Sequence, residues 1–135
     1  MTTPPKPKLF AKLRTDPKKV AEGVWITHTD SGDQFLIRRL WCPEHQSAHF
    51  RAKQDYEDEH GEGSSADGEG AEWVAAVGVA TGLIVDWKLA ESDRPYDPAA
   101  MAEALADPEL SELNRWIFMS ASSRDRFRPD HVAGN

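Results

Sequence analysis

Cys42, His45 and His49 stand in a C-x2-H-x3-H pattern, with His28 and His60 to either side in the chain. Thiolate and imidazole are zinc ligands, and His45 and His49, one helical turn apart, would share a face. A structural zinc site, however, draws on two or more cysteines, or on paired ligands from two separate segments. This chain has one cysteine. Cys42 precedes Pro43, so it reads more simply as the residue that caps a helix. The same residues can be imagined as nucleophile and base, but that chemistry needs a depressed thiol pKa, an oriented imidazole and a pocket. A helix N-terminus supplies only part of the first. The expectation is exposed helical histidines, no metal and no catalytic residue.

The acidic run Asp55 to Glu62 lacks the D-x-D-x-D-G spacing of a calcium loop. The chain carries no Gly-rich phosphate loop and no G-x-S-x-G nucleophile turn. An enzyme is not expected, and no cofactor is implied.

At 135 residues with 39% hydrophobic content, the chain has material for one domain with a modest core. Its net charge of −7 argues against a general nucleic-acid binder, which needs a basic face for phosphates. No apolar run approaches the length of a membrane span, so no membrane is expected as a partner. A single cysteine permits no internal disulfide and fits a reducing compartment. Met1 to Lys8 has lysines but no apolar run behind them, which does not fit a signal peptide.

Charge is unevenly placed. Lys6, Lys8, Lys12, Arg14, Lys18 and Lys19 face only Asp16 in the first nineteen residues, while residues 54 to 87 hold no Lys or Arg. The plain reading is a solvated arm and a solvated acidic segment. The sharper one is self-association, in which Lys6, Lys8 and Lys12 of one copy meet Glu57, Asp58 and Glu59 of another.

The elements follow from pattern. Glu22 to His28 and Asp33 to Arg39 alternate apolar and polar around Asp30-Ser31-Gly32, which predicts a β-hairpin. Pro43 opens a weakly apolar helix to about His60. Gly61 to Gly70 reads as a flexible acidic loop. Ala71 to Leu89 reads as one long central helix, with Trp73, Val77, Ala80, Ile84 and Trp87 on its face. Within it, Gly78 and Gly82 mark the close approach of another element. Asp97-Pro98 and Asp107-Pro108 each start a helix, the carboxylate accepting free N–H groups and the proline sitting where no N–H is needed. The last helix, from about Glu109 to Ser122, points Leu110, Leu113, Ile117 and Ala121 at the core, with Phe127 packing back. The fold class is α+β: an N-terminal hairpin, then a mainly α-helical domain of about four helices. Residues 1–21 read as a mobile basic arm, 22–128 as the domain, and 129–135 as a mobile tail.

Five tryptophans are many for a core this small. Some are expected at the surface, where Trp is enriched in binding hot spots. Trp87 and Trp116, flanking Pro95-Tyr96, are the first choices. With Leu83, Tyr96 and Leu113 they would line a groove for a partner's helices.

The order of these motifs resembles the tail assembly chaperones of long-tailed bacteriophages. Phe35-Leu36-Ile37-Arg38-Arg39 ends the hairpin, and a Pro-started polar helix follows. Then come Ile84-Val85-Asp86-Trp87, Pro95-Tyr96-Asp97-Pro98, Leu105-Ala106-Asp107-Pro108-Glu109-Leu110, and Ile117 to Phe127 with Ala121 inside. The match covers roughly residues 22 to 128, and it lies in order and spacing more than in any single short motif. Cys42-Pro43, where the family has Asn-Pro, and the 61–70 segment depart from it. The resemblance implies a protein of the host cytoplasm, absent from the finished virion. Such a protein binds the tape measure protein, keeps its apolar repeats soluble and helps recruit tail tube subunits; a homo-oligomer is expected. Alternatives are another morphogenesis or minor virion component, such as a head–tail connector, or a small metal-dependent regulator using Cys42, His45 and His49.

Overall fold

The computed structural model describes residues 8–129. Helices α1 (Lys8–Leu13) and α2 (Pro17–Glu22) precede a hairpin of β1 (Val24–Thr27) and β2 (Gln34–Ile37). Then follow α3 (Pro43–His60), α4 (Gly68–Gly78), a π-helical segment Val79–Leu83 and β3 (Ile84–Lys88). α5 (Pro98–Ala106) and α6 (Ser111–Ser122) complete the chain, α6 flanked by 3-10 turns at Pro108–Leu110 and Arg124–Phe127. The class is α+β, as the pattern predicts. Among the described residues no helix is long and apolar enough to cross a membrane.

The hairpin forms where expected, with Ile26 opposite Phe35 and Val24 opposite Ile37. Period-2 alternation puts Ile26, Phe35 and Ile37 into the core. Gly32, at φ +80°, makes the turn: its N–H donates to the His28 carbonyl at 2.8 Å. The sheet has three strands, in the order β1-β2-β3, all antiparallel.

The third strand corrects the long central helix expected from Ala71 to Leu89. The helix begins earlier, at Gly68 inside the expected loop, stops at Gly78, and passes through a π-turn into β3. Trp73 and Ile84 therefore do not share a helical face. The carbonyls freed at the π-turn find new donors. The Tyr96 hydroxyl donates to Ala80 O at 2.5 Å, Arg38 Nη1 to Gly82 O at 3.0 Å, and the Arg38 backbone N–H to Leu83 O at 2.8 Å.

α3 lies across this junction. Its buried residues are His45 and Ala52, and its contact is backbone-close. A Cβ on Gly78 would meet His49 Cα at 3.0 Å, and one on Gly82 would meet Glu44 O at 2.7 Å and His45 Cα at 3.0 Å. The two glycines are small because α3 passes directly over them.

Both Asp-Pro steps act as caps. Asp97 Oδ1 accepts from the N–H groups of Ala99 and Ala100, and Asp107 Oδ1 from that of Glu109. The second opens a 3-10 turn before α6, which turns Leu110 outward, 41% exposed, instead of into the core. Ile117, Ala121 and Phe127 are fully buried. Part of the expected N-terminal arm is folded against this end of the domain. The Asp16 N–H donates to Phe127 O at 2.7 Å, and Arg38 Nε to Ala21 O at 2.6 Å. Lys6 and the tail from residue 130 lie outside the described residues.

Candidate protein-binding surface

Leu83 cannot line a groove: it is 0% exposed, under the π-turn. The other four residues expected there pack against the core as half-buried side chains. Trp87 meets Tyr96 edge-on at 5.0 Å and donates its indole N–H to Arg94 O at 2.9 Å. The Tyr96 hydroxyl is committed to Ala80, and burial raises its pKa. Trp116 sits edge-on to His28 at 5.1 Å and to Phe35 at 5.7 Å. Trp87 itself belongs to β3, where it pairs with Phe35. Of the five residues expected to line a groove, Leu83 is thus enclosed, and Trp87, Tyr96, Leu113 and Trp116 each keep part of their surface.

The exposed aromatics are elsewhere. Trp41 is 49% exposed, Phe50 61% and Trp73 38%. Trp41 is the described non-glycine residue with positive φ, at 59°. That conformation is costly for a bulky L-residue, and neighbouring groups must hold it. His45 does so: its ring stacks under the indole at 4.4 Å, and its Nδ1 accepts the Trp41 backbone N–H at 3.0 Å. His49 stands edge-on to the same indole at 5.5 Å, and Gln46 Nε2 donates to Trp41 O at 2.6 Å. Trp41, Gln46, His49, Phe50 and Lys53 line an open, shallow depression of about 540 Å³.

The cysteine and histidines singled out by spacing thus have other partners. His45 is buried, not exposed as expected, and burial, then the charge of His49, lowers its pKa to about 4. With Nδ1 accepting from the backbone, the neutral ring carries its proton on Nε2. Burial raises the Cys42 thiol, and the Glu44 carboxylate adds to that, which is opposite to what a nucleophilic thiolate needs. His28 Nδ1 is 2.9 Å from Ser31 Oγ in the hairpin turn, and His60 stacks on Tyr56 at 4.1 Å. Among the described residues no three His, Cys, Asp or Glu side chains are grouped to hold a metal.

A second depression, of about 480 Å³, lies where α3 and α4 meet the end of α5 and the 3-10 turn after it, lined by Tyr56, His60, Glu69, Glu72, Trp73, Ala106 and Pro108. Of the acidic residues expected to meet the basic arm, Glu57 accepts a hydrogen bond from the Ser65 hydroxyl at 2.9 Å, while Asp58 and Glu59 are exposed. Sequence reasoning missed Trp41, Phe50 and Trp73 as the presented set. Phe50 was legible as an apolar residue off the stripe of α3, but the exposure of Trp41 depends on a backbone angle that no local pattern announces.

No protein-family profile, no characterised protein and no solved structure matches this chain.

Proposed function

We propose that this chain is a bacteriophage tail assembly chaperone: it holds apolar helical segments of the tape measure protein, keeps them soluble and helps bring tail tube subunits to them. The observation that carries the reading is Trp41, half-exposed at φ 59° with His45 stacked beneath it and Phe50 alongside in the same depression. A bulky side chain held in a costly conformation at the surface is better explained by a partner than by stability. A tape measure exposes apolar stripes until the tube encloses it, and a small domain that presents aromatic side chains can cover them reversibly. Many copies along one tape would add avidity. The order of motifs from the hairpin to Phe127 supports the same reading. In this account the contact surface is the Trp41–Phe50 depression, not the Trp87–Tyr96–Trp116 cluster. The protein acts in the host cytoplasm and leaves before the virion is complete. Co-expression with a tape measure protein, with and without substitutions at Trp41 and Phe50, tests it.

A further inference from the structure

Helix α1 is an amphipathic element whose apolar residues are exposed. It has no buried residue, and Leu9, Phe10 and Leu13 are 57%, 59% and 48% exposed. Leu9 and Leu13, one turn apart, form an apolar stripe; Lys8 and Lys12 form a parallel basic one. A helix of 6 residues is far below the roughly 12–15 that hold helical form alone in water, so it calls for a surface to lie on.

We propose that α1 docks, in a second copy of this chain, into the depression around Trp73. That depression offers the complementary pattern: Trp73 and Tyr56 for the apolar stripe, Glu69 and Glu72 for the lysines. The acidic character extends onto α3, where Asp58 and Glu59 are exposed. The Trp41 depression is the wrong partner, because Lys53 lines it and would repel Lys8 and Lys12. Docking in trans also fits the lining of the depression, to which α1 of the same chain contributes no residue.

This self-association does not depend on the tape measure reading, and it is tested on the full chain alone. Sedimentation velocity over a concentration series should show reversible association that weakens with added salt. The charge reversals K8E/K12E and E69K/E72K should each weaken it by about tenfold or more, and combining them in one chain should restore it. Phe10→Ser should weaken it without changing charge, and far-UV circular dichroism verifies that each variant is folded. A wild-type chain that stays monomeric overturns the proposal. So do reversals without effect, and so does a combined variant that fails to recover association lost in each parent.

Discussion

Trp41 and His45 form one unit: the imidazole lies under the indole at 4.4 Å, and its Nδ1 accepts the Trp41 backbone N–H at 3.0 Å. The histidine satisfies a backbone donor and supports a ring that solvent reaches from the other side. It ties the first turn of α3 to the exposed residue that the functional proposal rests on.

That tie makes stability depend on pH. His45 is neutral in the folded protein, its pKa lowered from 6.5 to about 4, first by burial and then by His49. The unfolded chain takes up a proton at the ordinary value, so it is favoured as pH falls. The contribution of His45 is fully present above about pH 6.5, declines below it and is lost by about pH 4. The full loss, reached below about pH 4, is on the order of 3 kcal/mol. Urea midpoints at pH 7 and pH 4.5 should show a smaller acid loss in His45→Asn, whose amide oxygen can accept the Trp41 N–H but does not titrate. Equal losses in the two proteins would rule His45 out as the titrating group.

Gly82 tests the packing of α3 on the π-turn. An added methyl would run into Glu44 O and His45 Cα, both backbone atoms of the crossing helix. Gly82→Ala should destabilise by about 1–3 kcal/mol through overpacking. Thermal melts compare it with Thr81→Ala at an exposed neighbour, which should cost less. A Gly82→Ala protein as stable as the parent would contradict the contact.

Tyr96 tests how the π-turn is satisfied. Its hydroxyl serves the carbonyl of Ala80, a residue that is 0% exposed. Tyr96→Phe keeps the ring against Trp87 and orphans that carbonyl, so it should cost about 1–2 kcal/mol. The loss should appear in the urea midpoint with no change in far-UV circular dichroism.

The hairpin, the start and end of α3, the two aspartate caps and the return of Phe127 were all legible, because each is written in local chemistry: alternation, a proline, a carboxylate one step before a proline. The third strand was not. Trp73, Val77, Ala80, Ile84 and Trp87 keep helical spacing through a junction where the chain changes from helix to strand, and a continuous apolar run reads the same for both. What ends the helix is tertiary: Arg38 and Tyr96 arrive from elsewhere to take its carbonyls. Leu83, expected at the surface of a groove, is enclosed at the end of the π-turn. Exposure of Trp41 depends on φ 59° and a histidine four residues on, a relationship visible only once the chain is folded.

The most direct measurement of the functional account is co-expression of this chain with a tape measure protein, followed by pull-down and size-exclusion chromatography with light scattering. The account predicts a soluble complex carrying several copies of this chain, lost when Trp41 and Phe50 are both changed to Ser in a chain that remains folded. A tape measure that stays insoluble while this chain elutes without it would contradict the account. A complex indifferent to Trp41 and Phe50 would contradict the surface assigned to it.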